Sequence, residues 1–343
     1  MRIVVFGAGG FVGGWICEEL SQRRDIDHVA CVRRWASAVR LARRGVDIRQ
    51  ADLENVNELT PLLAGVDCVV NATMPVPSRE PALATALYAA CVRSGVRRFV
   101  QFSSAAVYGQ RTGEVDEHAS PVPIDAYSRG KAEMEQRLTQ AAAQSGPELL
   151  ILRPSIIYGP FSDAWTVRYV ERIVQGRWRG LGWVGEGTCN LVHAHDVARA
   201  AIAAATADVA PGTHVLNING PDVVSWNEYI EQLGDALDTA DRVVPNAARF
   251  GAMALAAGIM RMGATLTLVR SWYQRSAGTT RVAMKHAHAA TKLYPSRGEL
   301  QLLRRKVHYV ADQASRVLGF RPVVPLDEGL RQSVAWCRVH GVV

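Results

Sequence analysis

The 343-residue chain predicts an α/β protein, a doubly wound parallel sheet with a smaller carboxyl-terminal lobe. Three observations carry the prediction. Apolar runs alternate with helical periodicity through the first 155 residues, the pattern of a parallel sheet covered on both faces. A glycine-spaced turn, Gly7-Ala8-Gly9-Gly10-Phe11-Val12-Gly13, joins the first apolar run to the first helix. Beyond about residue 155 the alternation loosens into interrupted segments, as a second lobe would.

The elements follow in order. Strands are expected over residues 3–6, 29–32, 46–49, 66–71, 99–103 and 149–153, each a short apolar run with β-branched or aromatic residues. Helices are expected over 11–23, 36–43, 82–94 and 126–143, the third rich in alanine. In the second lobe, residues 167–174, 197–205 and 226–237 show helical spacing and 215–218 reads as a strand. The domain boundaries expected are 1–155 for a dinucleotide-binding domain and 156–343 for a mainly substrate-binding lobe, some of whose segments return to the first body.

Composition narrows the class. Hydrophobic content of 48% and charged content of 21% are those of an ordinary globular protein. Six cysteines lie scattered with no CxxC spacing, several inside apolar runs, so buried reduced thiols and a cytoplasmic setting are expected. The net charge of +7 is concentrated: residues 241–306 hold twelve Arg/Lys against two acids, and the rest of the chain 27 against 30. The apolar run at 250–260 is broken by Arg261, whereas a membrane span needs roughly 20 nearly uncharged residues. Burial in the second lobe is the expectation, ahead of a membrane-surface contact through 250–275. Trp272 and Tyr273 follow that run and would suit a larger apolar substrate.

Gly7, Gly10 and Gly13 give GxxGxxG at a strand-to-helix junction, with Phe11 and Val12 opening the helix. Glycine allows the tight turn, leaves no side chain between backbone and a pyrophosphate, and puts helix N–H donors and the positive dipole end against it. An acid at the end of the second strand would bond the adenosine ribose and repel a 2′-phosphate. Arg33 and Arg34 stand there instead, and a guanidinium matches a phosphate dianion, so NADP(H) is expected ahead of NAD(H). Two solvated arginines on a loop are the bland alternative. Asp52 and Leu53 follow the third strand and would meet the adenine. Asn71, Ala72 and Thr73 end the fourth, where small residues let the chain pass close to the cofactor.

Tyr127 and Lys131 stand at i and i+4, on one helix face. A nearby ammonium favours a phenolate, and such a tyrosine can exchange a proton with a carbonyl or alcohol oxygen as hydride moves at carbon. Ser103-Ser104-Ala105-Ala106-Val107-Tyr108-Gly109 places hydroxyls at the carboxyl edge of the fifth strand, where open α/β sheets bind ligands. Ser104 can orient the substrate oxygen, and Ser103 would sit against the cofactor; a strand-capping serine is the plainer role.

Taken with Arg153-Pro154-Ser155-Ile156-Ile157-Tyr158-Gly159-Pro160, Leu191-Val192-His193-Ala194-His195-Asp196 and Leu318-Gly319-Phe320-Arg321-Pro322, these motifs resemble an extended short-chain dehydrogenase/reductase. The family is the NAD-dependent epimerase/dehydratase family, nearest its dihydroflavonol reductase and 3β-hydroxysteroid dehydrogenase branches, and the resemblance covers nearly the whole chain. It implies a Rossmann domain, a catalytic Ser104–Tyr127–Lys131 triad, Pro154 and Ile157 beside the nicotinamide, and a homodimer. It also implies that the HxHD spacing at 193–196 is a turn into a helix capped by Asp196, with no metal site.

Residues after the catalytic hydroxyl divide the family. Dehydratases carry an Asp-Glu pair there and decarboxylases a glutamate at the second position; Ala105 and Ala106 can neither donate nor accept a proton. The expectation is an NADP(H)-dependent ketoreductase or alcohol dehydrogenase acting on a small-molecule substrate, a ketone or secondary alcohol, with no nucleic-acid partner. The alternatives are a nucleotide-sugar 4-epimerase using the same triad with retained NAD, and a non-catalytic NADP-sensing protein.

Overall fold

The computed structural model describes residues 1–144, 146–175, 178, 180–239, 255 and 294–343. Most of the basic segment, the 250–275 run apart from Leu255, and Trp272 and Tyr273 lie outside the described residues.

Seven strands make one sheet: β1 (Arg2–Phe6), β2 (Asp27–Val32), β3 (Asp47–Gln50), β4 (Cys68–Asn71), β5 (Arg98–Phe102), β6 (Glu148–Pro154) and β7 (Thr213–Ile218). Their order is β7-β6-β5-β4-β1-β2-β3, and every pairing is parallel. The helices are α1 (Phe11–Leu20), α2 (Val39–Ala42), α3 (Val56–Leu63), α4 (Glu80–Arg93), α5 (Ala126–Ala142), α6 (Arg168–Val174), α7 (Ala194–Thr206), α8 (Trp226–Ala236), α9 (Arg297–Arg304), α10 (Asp312–Leu318) and α11 (Leu326–Val339).

Strand side chains alternate between two cores, so the strands are apolar on both faces. Ile3 and Val5 of β1 join Ile16 and Leu20 of α1, Ala201 of α7 and Leu318 of α10 in one layer. Val4 and Phe6 join Leu59 of α3, Leu87 of α4 and Met134 and Leu138 of α5 in the other.

The chain divides into two compact units. The first comprises Met1–Gly159, Asn190–Asp222 and His308–Leu326; the second Pro160–Cys189, Val223–Val307 and Asp327–Val343. In the second unit Trp165, Tyr169, Trp178, Trp226 and Tyr229 form a chain of ring contacts with centroids 5.3–6.1 Å apart. Arg172 is buried against it, bonded to Glu299 at 2.5 Å with its guanidinium 4.2 Å from the Trp178 ring centre.

Several elements differ from the expectations, which include no helix beyond 226–237, where α9, α10 and α11 lie. Residues 36–43 form a tight turn at Trp35–Ser37 and then the four-residue α2, because the Ser37 hydroxyl donates to the Arg34 carbonyl (2.7 Å) and competes with the helix ladder. Helix α3 lies outside the expected helices, and Pro61 falls within it. Residues 213–218, expected only as a strand of the second lobe, complete the main sheet beside β6 as a carboxyl-terminal segment that returns to the first body; which segment pairs there leaves no local trace.

All six cysteines are buried free thiols. Burial pushes Cys31 and Cys68 up to about 12 and Cys337 to about 11, far from the range of a reactive thiolate. Among the described residues no helix is long and apolar enough to cross a membrane.

Candidate active site

The register brings the strand ends level. Phe6 is opposite both Cys31 and Asn71, Asn71 opposite Gln101, and Phe102 opposite Leu152. Gly7, Arg33, Ala72, Ser103 and Pro154 therefore all leave the sheet at its carboxyl edge, the side where open α/β sheets bind ligands.

The glycine turn is built by close approach. Gly7 has φ +81°, and a Cβ there would meet the Ala72 carbonyl at 2.6 Å and the Thr73 nitrogen at 2.8 Å. A Cβ at Gly13 would strike the Gly7 carbonyl, which already accepts from Gly10 N at 2.9 Å. Gly10 is the N-cap of α1 and supplies no side-chain cap, so the N–H groups of its first turn, at Phe11 and Val12, have no partner from the cap. Arg33 and Arg34 are exposed, and neither guanidinium makes an ion pair or hydrogen bond among the described residues.

Asp52 accepts from Glu54 N (3.1 Å) and shapes the turn after β3, while Leu53 packs in the second core layer. Asn71 is turned inward: its Oδ1 accepts from the Thr73 hydroxyl (2.7 Å) and its Nδ2 donates to Gln101 Oε1 (2.8 Å). Pro154 closes β6 opposite Ile218. Ile157 is half-buried on the short strand Ile156–Tyr158, which pairs with Leu191–His193.

Ser103 is buried and its N donates to the Leu152 carbonyl at 2.7 Å. Its hydroxyl, also buried, has no partner among the described residues. Ser104 caps the turn Ala105–Tyr108, its oxygen accepting from Ala106 N at 3.1 Å. Accepting there leaves the hydroxyl hydrogen available for a substrate oxygen.

Tyr127 and Lys131 are positioned by the start of α5. Asp125 Oδ1 accepts from Ser128 N (2.7 Å) and Ser128 Oγ accepts from Asp125 N (3.1 Å), a reciprocal capping box inside the Tyr127-Ser128-Arg129-Gly130-Lys131 stretch. Gly130 admits the neighbouring loop, since a Cβ there would lie 2.6 Å from the Pro77 carbonyl. Tyr127 is half-buried, and Lys131 Nζ lies 5.8 Å from its ring centre.

Lys131 is 3% exposed, and its ammonium donates to Glu80 Oε1 at 2.6 Å and to the Phe102 carbonyl at 3.0 Å. The same carbonyl accepts from Gln101 Nε2 at 2.9 Å, so one polar chain runs from Thr73 through Asn71 and Gln101 to Lys131. Sequence reasoning missed Glu80. An acid in the first turn of a helix suits the dipole, and nothing local ties it to a lysine 51 residues on.

One turn further along α5, Glu135 holds Arg153 bidentately at 3.0 and 2.5 Å. Arg153 Nη1 donates to the Tyr108 hydroxyl (2.9 Å), which donates to Asn217 Oδ1 (2.7 Å). Burial pushes the Tyr108 phenol up.

Asp196 does not cap its helix. His193 is the N-cap of α7, its Nδ1 accepting from His195 N at 3.3 Å. Asp196, fully buried, instead accepts from the backbone N–H groups of Val323 (3.0 Å) and Val324 (3.0 Å), fastening the segment after α10. His195 contacts Glu19 at 3.2 Å, and among the described residues no cluster suits a metal ion.

Comparison with known proteins settles the class. The model of the NAD-dependent epimerase/dehydratase family matches residues 3–219. The chain belongs to that family. This family member is similar to 2-alkyl-3-oxoalkanoate reductase of Stenotrophomonas maltophilia (strain K279a), 27% identical over 97% of this chain and 98% of the relative. It is also similar to 3beta-hydroxysteroid-dehydrogenase/decarboxylase isoform 2 of Arabidopsis thaliana, 28% identical over 71% of this chain and 42% of the relative. Its fold matches UDP-glucuronic acid 4-epimerase from Bacillus cereus in complex with NAD, with a TM-score of 0.74 at 19% identity over 99% of both chains. The chain is thus an extended short-chain dehydrogenase/reductase with a Rossmann sheet, an NAD(P)-dependent enzyme of the oxidoreductase or epimerase type. The site fits a dinucleotide: the glycine cradle excludes side chains, α1 presents donors without a side-chain cap, and the buried Ser103 hydroxyl has no partner among the described residues.

Proposed function

We propose that the protein is an NADP(H)-dependent oxidoreductase that interconverts a ketone and a secondary alcohol. The observation that carries this reading is the buried Lys131 ammonium, fixed one helical turn from Tyr127 at the carboxyl edge of the sheet with two of its three donors engaged. Tyr127 gives a proton from its hydroxyl to the ketone oxygen in reduction and takes it back in oxidation. Ser104 donates its hydroxyl hydrogen to the same oxygen and orients it. The remaining Lys131 N–H serves a ribose hydroxyl or the phenol. A bound nicotinamide supplies or accepts the hydride.

Gly7, Gly10, Phe11, Val12 and Gly13 would hold the pyrophosphate, and Asp52, Leu53, Ala72, Thr73, Ser103, Pro154 and Ile157 would line the cofactor's course. The exposed Arg33 and Arg34 support NADP(H), since among the described residues no group pairs with either guanidinium in competition with a 2′-phosphate.

Exposed apolar side chains next to α5 support an apolar substrate. Met74 (79% exposed) and Val76 (59%) lie on the loop that docks against Gly130, and Val122 (50%) and Ile124 (49%) lead into α5. Four exposed apolar side chains flanking the tyrosine's helix suit an alkyl or ring-bearing ketone better than a nucleotide diphosphate. The 2-alkyl-3-oxo acids named for the reductase relative belong to that class.

The test is cofactor stoichiometry. A medium-chain 2-alkyl-3-oxo acid should consume NADPH equivalent for equivalent, followed by nicotinamide absorbance. Interconversion of UDP-glucose and UDP-galactose with no net absorbance change would replace this reading with a 4-epimerase retaining NAD.

A further inference from the structure

The ion pair between Lys131 and Glu80 has features that a structural contact does not require. Both side chains are at most 4% exposed, yet they come from helices 51 residues apart in sequence. Burying two opposite charges often gains little over packing two apolar groups, so such a pair is weak evidence for a stabilising role. The remaining charged groups on α4, α5 and β5 are engaged elsewhere or exposed. Arg79 pairs with Glu54, Glu133 with Arg137, Glu135 with Arg153 and Arg98 with Glu148. Asp125 caps α5, and Arg93 and Arg129 are exposed. On α4 the Tyr88 hydroxyl donates to the Pro147 carbonyl and Cys91 packs in the core, while the Tyr127 ring centre lies 5.8 Å from Lys131 Nζ, so Tyr127 is the titratable group set beside the pair.

We propose that Glu80 is a positioning residue of the reaction, clamping Lys131 Nζ between its carboxylate and the Phe102 carbonyl and offsetting the ammonium charge that Tyr127 senses. The clamp has a geometric consequence. An ammonium has three donors, and with two directed into the protein only the third can turn toward the phenol or a ligand. The electrostatic consequence is that a buried carboxylate 2.6 Å from Nζ offsets the ammonium charge beside the phenol ring. The proposal rests on the oxidoreductase reading of Tyr127 and Lys131.

The experiment titrates the Tyr127 phenol by ultraviolet phenolate absorbance with NADP⁺ present, using Tyr127→Phe in each background as the blank. Glu80→Gln keeps size and a hydrogen-bond acceptor and deletes the charge. Its phenol midpoint should fall by about one pH unit, about tenfold in ionisation constant. An unmoved or raised midpoint overturns the proposal. Glu80→Asp keeps the charge but retracts it by one methylene, and serves also if the Gln variant does not fold. It should lose about tenfold or more in kcat with a clearly smaller loss of NADPH affinity, the cost of misplacing the ammonium. Wild-type kcat in Glu80→Asp, or equal losses in kcat and NADPH affinity, overturns the positioning role. A wild-type protein that binds NADP⁺ but reduces no ketone removes the oxidoreductase reading instead, and the phenol titration still decides whether Glu80 offsets Lys131.

Discussion

Helix α5 carries two buried ion pairs one turn apart, and they are built to different ends. Glu135 meets Arg153 through the planar guanidinium fork, which then hands a hydrogen bond to Tyr108 and on to Asn217. Asn217 in turn donates its backbone N–H to Glu117 (2.8 Å) and its Nδ2 to the Val310 carbonyl (2.9 Å), so the network ends on protein atoms. Lys131 meets Glu80 through a compact ammonium with a donor to spare. The guanidinium closes a network and fixes β6 to the helix; the ammonium leaves one open at the sheet edge. Lysine at 131 and arginine at 153 are thus not interchangeable.

That contrast breaks if each pair does the other's work. The largest effect belongs to the open side. Tyr127→Phe removes the proton that Lys131 is placed to influence and should cut turnover by about a hundredfold to ten-thousandfold. NADPH binding, measured by fluorescence, should stay close to wild type. On the closed side, Arg153→Met strands the Glu135 carboxylate in the core and should lower unfolding stability by about 3–5 kcal/mol, read from denaturant melts. A variant as stable as wild type would show that the network is ornamental.

Smaller effects sharpen the picture away from α5. Arg33→Asp should lower the NADPH-over-NADH preference about tenfold or more, ~1.4 kcal/mol, measured as a ratio of dissociation constants. An unchanged ratio removes the basis for the NADP assignment. On β2, burial lowers His28 below its ordinary 6.5. Its contribution is intact above 6.5 and declines as pH falls from there toward the folded value, because the unfolded chain binds the proton first. The slope is at most about 1.4 kcal/mol per pH unit, and His28→Asn should flatten it in melts across that window.

What the sequence revealed divides along the same line. The glycine turn and the Tyr127/Lys131 spacing are local patterns, one set by φ and close approach and the other by helical period, and both are read without a partner. Glu80, the Asn71–Gln101 chain and the closing of the sheet by β7 depend on segments far apart in sequence, and no local period announces them. Asp196 illustrates the intermediate case. Its position at the start of α7 reads as a cap, but its carboxylate is spent on the backbone at 323–324, a choice made by tertiary packing. Ser104 shows the reverse: its cap uses the oxygen and leaves the hydrogen for the substrate-orienting role proposed for it.

The most direct measurement is a crystal structure with NADP⁺ bound. It should show Tyr127 Oη and Lys131 Nζ within hydrogen-bond reach of the nicotinamide ribose, Ser104 facing the nicotinamide ring, and the 2′-phosphate between Arg33 and Arg34. A nicotinamide lying elsewhere, with those three side chains turned away from it, would contradict the account.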